Sequence, residues 1–258
     1  LLHALRELAE VYDQELLCEY TDWNTLREQL WEELHNNHVG RKSCKQEDQT
    51  RLRFSIACGN IALNRATSNA VGLRAIDEAL IVGHPLAADV LQGALGLFRT
   101  SSELSIRCGR SLVNNCSPTE DKVLCDIDQI HRPSISMFLT RYFGQRPVLI
   151  TGIVESWPAF TKWPLIDFWL ENHGLRTVPI ERGRTYLSSD FRPELVLLQD
   201  FIHDHLLADG DGYLAQHGIF DQIPSLRQDV VEPDFASFGE DRTPPTTNLW
   251  LGPENTIT

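Results

Sequence analysis

Lysine is scarce in this chain, four residues in 258, and no Lys/Arg-rich run occurs anywhere along it. The formal net charge is −13, and −9 of it falls in residues 126–258. Such a surface repels a phosphate backbone, which binds through clustered Lys and Arg, so direct nucleic-acid binding is not expected. Long apolar stretches are missing too: none reaches the roughly eighteen residues that a spanning helix needs, and no membrane role is expected. The six cysteines contain no C-x-x-C pair, which argues against a zinc ribbon or a thioredoxin-type motif and reads as reduced thiols of a cytosolic or nuclear protein. G-x-G-x-x-G, G-x-x-x-x-G-K-[ST] and G-x-S-x-G are all absent, so the usual nucleotide cradles and the nucleophile elbow are excluded.

What is present divides the chain at its middle. In "TDWNTLREQLWEELHNN" the residues Trp23, Leu26, Leu30, Trp31 and Leu34 recur at three- and four-residue spacing, which predicts a helix capped by Asp22. "NAVGLRAIDEALIVG" repeats the pattern through Val71, Ile76, Ala79, Leu80 and Val82, and "GHPLAADVLQGALGLF" restarts it with Pro85 in a first turn. Residues 1–99 are therefore expected to form a helical domain, and residues 100–125, rich in turn formers, a linker. Beyond the linker, helix and strand alternate: "RPVLITGI", "RTVPIERG" and "GYLAQHGIF" read as strands, and "PLIDFWLENHG" and "ELVLLQDFIHDHLL" as helices. The fold class is α+β.

The chain ends in "TTNLWLGPENTIT", a strand through Trp250, a Gly-Pro turn and a second strand that opens at Thr256. A strand left without a partner exposes unpaired N–H and C=O groups, so the second domain is expected to have begun but not closed. The missing Met at Leu1 raises the same expectation for the other end.

The nine histidines offer little metal chemistry. His203 and His205 are two apart in a segment read as helix, where they point in different directions and are expected to be solvated. The facial triad of non-haem Fe(II) oxygenases needs H-x-D or H-x-E plus a distant His, and neither pair occurs. No metal ligand is expected within the chain.

The second half nevertheless resembles a known family. "RPVLITGIVESWPAFTKW", "TVPIERG", "GYLAQHGIFDQIPSLRQDV" and "NLWLGPENTIT" stand in the order and spacing of the Jumonji-C oxygenases, over residues 126–258. The resemblance implies the first part of a double-stranded β-helix, a cupin-like barrel, preceded by the helical array, and oxidation of a protein side chain with Fe(II) and 2-oxoglutarate. It implies Tyr213 and Thr258, with Gln216 if its strand bulges, as donors to 2-oxoglutarate. Glu181 and Trp250 are implied as the carboxylate and aromatic wall that receive a cationic Arg or Lys. In the family the last motif runs into Pro-Leu-His-x-Asp, so the iron ligands are expected downstream of Thr258, and the chain alone is expected to be inactive.

Two readings follow. One is a fragment of a chromatin-acting oxygenase, nuclear or cytoplasmic, that hydroxylates Arg or demethylates Lys on a basic protein such as a histone. The other is an inactive isoform or pseudo-enzyme whose helical half is a protein-binding module. The oligomeric state is not legible.

Overall fold

The structure is a computed structural model, which describes residues 1–12, 22–35, 44–100, 127–182, 192–208, 210–238 and 245–253. The expected linker at 100–125 and the strand opening at Thr256 lie outside them, apart from Thr100.

The helical periodicity of the first hundred residues forms α1 (Leu2–Tyr12), α2 (Trp23–His35), α3 (Cys44–Leu63), α4 (Asn69–Val82) and α5 (Ala88–Leu95). Asp22 caps α2 as expected: its Oδ1 accepts the N–H groups of Asn24 and Thr25, and its Oδ2 the Thr25 hydroxyl. These local bonds hold the Asp22 carboxyl below its usual range, the Thr25 hydroxyl contributing most. Ser68 caps α4 by accepting the Val71 N–H, and Pro85 opens a short 3-10 turn, Pro85–Ala87, before α5. The core of the array is Phe54, Ile56, Ala57, Cys58, Ile76 and Leu91, all closed to solvent. A Cβ at Gly59 would stand 2.6 Å from Leu5 Cδ1, so a glycine there lets α1 approach α3 closely.

The periodicity misjudged one helix. Val71 was expected in the core and is exposed, while Leu73, Ala75, Asp77 and Glu78 are buried with Ile76 and Ala79. Two carboxylates on the inner side of α4 hide its true buried face from a hydrophobic pattern, because each is buried only by virtue of a basic partner. Glu78 accepts from Arg27 Nη1 at 3.0 Å and from Arg74 Nε at 2.9 Å. Asp77 Oδ1 accepts Arg176 Nη2 at 2.6 Å and Nε at 2.9 Å, and its Oδ2 accepts the Thr177 N–H at 2.8 Å.

The strands form two sheets. β1 (Asp128–His131) pairs in parallel with β2 (Val148–Thr151). The second sheet has the order β4-β3-β5-β6, with β3 (Thr177–Arg182), β4 (Arg192–Leu197), β5 (Gly212–His217) and β6 (Leu249–Leu251). β4 corrects an expectation. "ELVLLQDFIHDHLL" was read as one helix, but Arg192–Leu197 is a strand antiparallel to β3, and only Leu198–Phe201 is α-helical, continued by a π-helical turn at Ile202–Leu207. Short apolar runs are ambiguous between helix and strand, and here the pairing with β3 decided the outcome.

The residues pack as two compact units. The first joins Leu1–Ser105, Leu170–His217 and Trp250–Thr258, so it contains both the helical array and β3, β4 and β5. The Asp77–Arg176 pair ties α4 to the mouth of β3 within it. The second joins Ile106–Trp169 and Gly218–Leu249. Within it Asp229 accepts from Lys162 Nζ at 2.6 Å and from the Trp163 indole at 3.1 Å. Trp169 is buried against Trp163.

Candidate functional site

Antiparallel register decides which side chains meet, because directly opposed residues share a sheet face. Glu181 stands opposite Pro193 of β4 on one side and Tyr213 of β5 on the other. Thr177, Pro179, Leu195 and Leu197 lie on that same face. Val178, Ile180 and Leu214 take the other face and are fully buried. The sheet therefore packs its core on one side and presents Glu181 and Tyr213, both half-buried, on the other. Arg182 points away from them, to Glu194 at 3.4 Å and Asp211 at 3.3 Å.

Neither member of the pair is satisfied locally. Among the described residues Glu181 makes no ion pair and the Tyr213 hydroxyl no hydrogen bond. Burial pushes the Tyr213 phenol above its ordinary range, and the Glu181 charge adds to the effect. Both keep the phenol protonated, hence an O–H donor to an anion. The neighbouring carboxylate is an acceptor matched to a cation.

The remaining expected residues are dispersed. Trp250 lies on β6, about half exposed at 48%. Gln216 is exposed and takes φ 48°, a left-handed backbone position. Thr258 lies outside the described residues. Of the histidines read as solvated, His203 is exposed and bonds Asp204 at 2.7 Å. His205 departs from that reading: it is buried, and its Nδ1 accepts the Gly212 N–H at 2.9 Å. The signal was available in Gly210 and Gly212, two glycines close enough in sequence to leave room for an imidazole.

Among the described residues no three His, Cys, Asp or Glu side chains converge to hold a metal ion. No helix among them is long and apolar enough to cross a membrane.

No family model matches the chain. Among curated proteins it is similar to Lysine-specific demethylase 8 of Danio rerio, 34% identical over 203 residues, covering 72% of this chain and 50% of that protein. It is 36% identical over 142 residues to Jumonji C domain-containing protein 5 of Drosophila melanogaster, covering 52% of this chain and 35% of that one. Lysine-specific demethylase 8 of Xenopus tropicalis is 36% identical over 135 residues, 51% of this chain and 30% of the relative. The chain spans half or less of the length of these relatives. Their shared kinship identifies the chain: it belongs to the Jumonji-C family.

Proposed function

We propose that the protein to which this chain contributes is an Fe(II)- and 2-oxoglutarate-dependent oxygenase that hydroxylates Arg or demethylates Lys on a basic protein such as a histone. The observation that carries the reading is the Glu181–Tyr213 pair, a carboxylate and a protonated phenol side by side on the half-open face of a sheet. The phenol donates to a 2-oxoglutarate carboxylate, with Thr258 and Gln216 assigned beside it. The Glu181 carboxylate and the exposed Trp250 ring receive the substrate's guanidinium or ammonium group, a guest that suits an anion and an aromatic face together. In this reading residues 126–258 belong to a cupin-like Jumonji-C domain that follows a helical region at 1–99. The iron ligands come from outside the described residues, and the metal with its co-substrate supplies oxygen activation. The −9 charge of residues 126–258 favours a basic partner over nucleic acid. A nuclear or cytoplasmic location fits such a partner.

The test uses the longest natural protein that carries this chain, supplied with Fe(II), 2-oxoglutarate and histone-tail peptides, with products read by mass spectrometry. Tyr213→Phe is expected to raise KM for 2-oxoglutarate by about tenfold or more, the worth of a hydrogen bond to a charged group. Glu181→Ala is expected to raise KM for the basic peptide while sparing peptide-independent turnover of 2-oxoglutarate. If both variants alter the same parameter, the assignment of roles is wrong. If the wild-type protein turns over no 2-oxoglutarate, the inactive binding-module reading replaces this one.

A further inference from the structure

His205 belongs to the π-helical turn Ile202–Leu207 and reaches the first residue of β5, and it is almost closed to solvent at 7% exposure. Its ring lies 5.9 Å from the Phe201 ring, centroid to centroid. On the other side two glycines give it room: a Cβ at Gly212 would lie 2.7 Å from the imidazole Cγ, and one at Gly210 only 2.3 Å from Nδ1. The polar contact is specific. A backbone N–H can only donate, so the 2.9 Å bond from Gly212 N requires an unprotonated Nδ1 and places the ring proton on Nε2. Asp211 Oδ1 is 3.8 Å from Nδ1 and is also held by Arg182. Gly212 is opposite Arg182 in the β3–β5 register, and the next rung is Tyr213 opposite Glu181.

We propose that His205 is a positioning residue for Tyr213: by accepting the Gly212 N–H it fixes the entry of β5 and so sets the phenol opposite Glu181. A buried N–H without a partner costs free energy, so the chain has a strong preference for this one placement of Gly212. A one-residue slip would carry Tyr213 to the opposite face of the sheet, away from Glu181. The functional role of Tyr213 rests on the proposed oxygenase reading; its placement by His205 does not.

The experiment is nuclear magnetic resonance on the whole 258-residue chain, with Tyr213→Phe used to assign the Tyr213 signal. The His205 ring nitrogens are expected to show the Nε2–H tautomer. His205→Leu is expected to speed exchange of the Gly212 amide by about tenfold or more, the worth of one hydrogen bond. It should also move the Tyr213 titration down towards the ordinary tyrosine range. His205→Asn, whose Oδ1 takes the place of Nδ1 as acceptor, is expected to restore both. An Nδ1–H tautomer overturns the proposal, as does a His205→Asn variant in which Gly212 exchanges as fast as in His205→Leu. Should His205→Leu fail to fold, the tautomer and the Asn variant, compared with wild type, decide alone. If Tyr213→Phe leaves 2-oxoglutarate affinity intact in the longer protein, the functional reading fails while the positioning result stands.

Discussion

Asp77, midway along α4, holds the guanidinium of Arg176 in two parallel bonds at the mouth of β3, its Oδ1 accepting from Nη2 and its Oδ2 from Nε, and both side chains are almost wholly out of water. The strand that carries Glu181 thus begins at a contact made by the helical array. Removing one partner leaves an uncompensated buried charge, so Asp77→Ala is expected to destabilise the chain by about 3–5 kcal/mol. By contrast Glu47→Ala, which breaks an exposed i,i+4 pair with Arg51, should cost no more than about 0.5 kcal/mol. Urea denaturation of the two variants checks the contrast, and equal midpoints would show that the array and the strand are not coupled.

The Tyr213 phenol is raised by burial first and by the Glu181 charge second. Glu181→Gln is therefore expected to lower the Tyr213 titration without returning it to the ordinary value, since burial remains. A group that holds its proton more tightly when folded contributes stability below the ordinary tyrosine pKa. That contribution is lost as pH rises through the raised one. Ultraviolet difference titration of wild type, Glu181→Gln and Tyr213→Phe measures it.

Burial, with the Glu78 carboxylate nearby, pushes the Cys58 thiol well above its usual range. The thiolate is the reactive form, so Cys58 is expected to resist iodoacetamide in the native chain and to react only on unfolding, while exposed Cys44 is labelled readily. Peptide mapping after timed alkylation reads both.

Gly152 has φ 82°, and a Cβ there would approach the His131 ring to 2.3 Å. Gly152→Ala is expected to destabilise the chain by about 1–2 kcal/mol, the backbone term alone being of that order. Thermal unfolding provides the measure, and an unchanged midpoint would mean that the turn relaxes freely.

How much of this was legible depends on which forces acted locally. The cap at Asp22, the turn opened by Pro85 and the strands at Val148–Thr151 and Thr177–Arg182 follow from side chains a few residues apart. The Asp77–Arg176 pair joins residues ninety-nine positions apart, and nothing near either one announces the other. The misread at Arg192–Leu197 has the same origin, since that apolar run becomes a strand only where β3 is beside it. Glu181 and Tyr213 were singled out by family resemblance; their direct opposition is a matter of register, which sequence spacing does not determine.

Pro179, a residue with no N–H to give, pairs with Leu195 of β4 and lies past the last rung between β3 and β5. The β3–β5 register runs from Arg182 and Gly212 to Glu181 and Tyr213, and no further rung is formed among the described residues. The phenol and the carboxylate thus occupy the last tooth of a short zip. A guest reaching this pair would therefore meet the end of the β3–β5 pairing and not its middle.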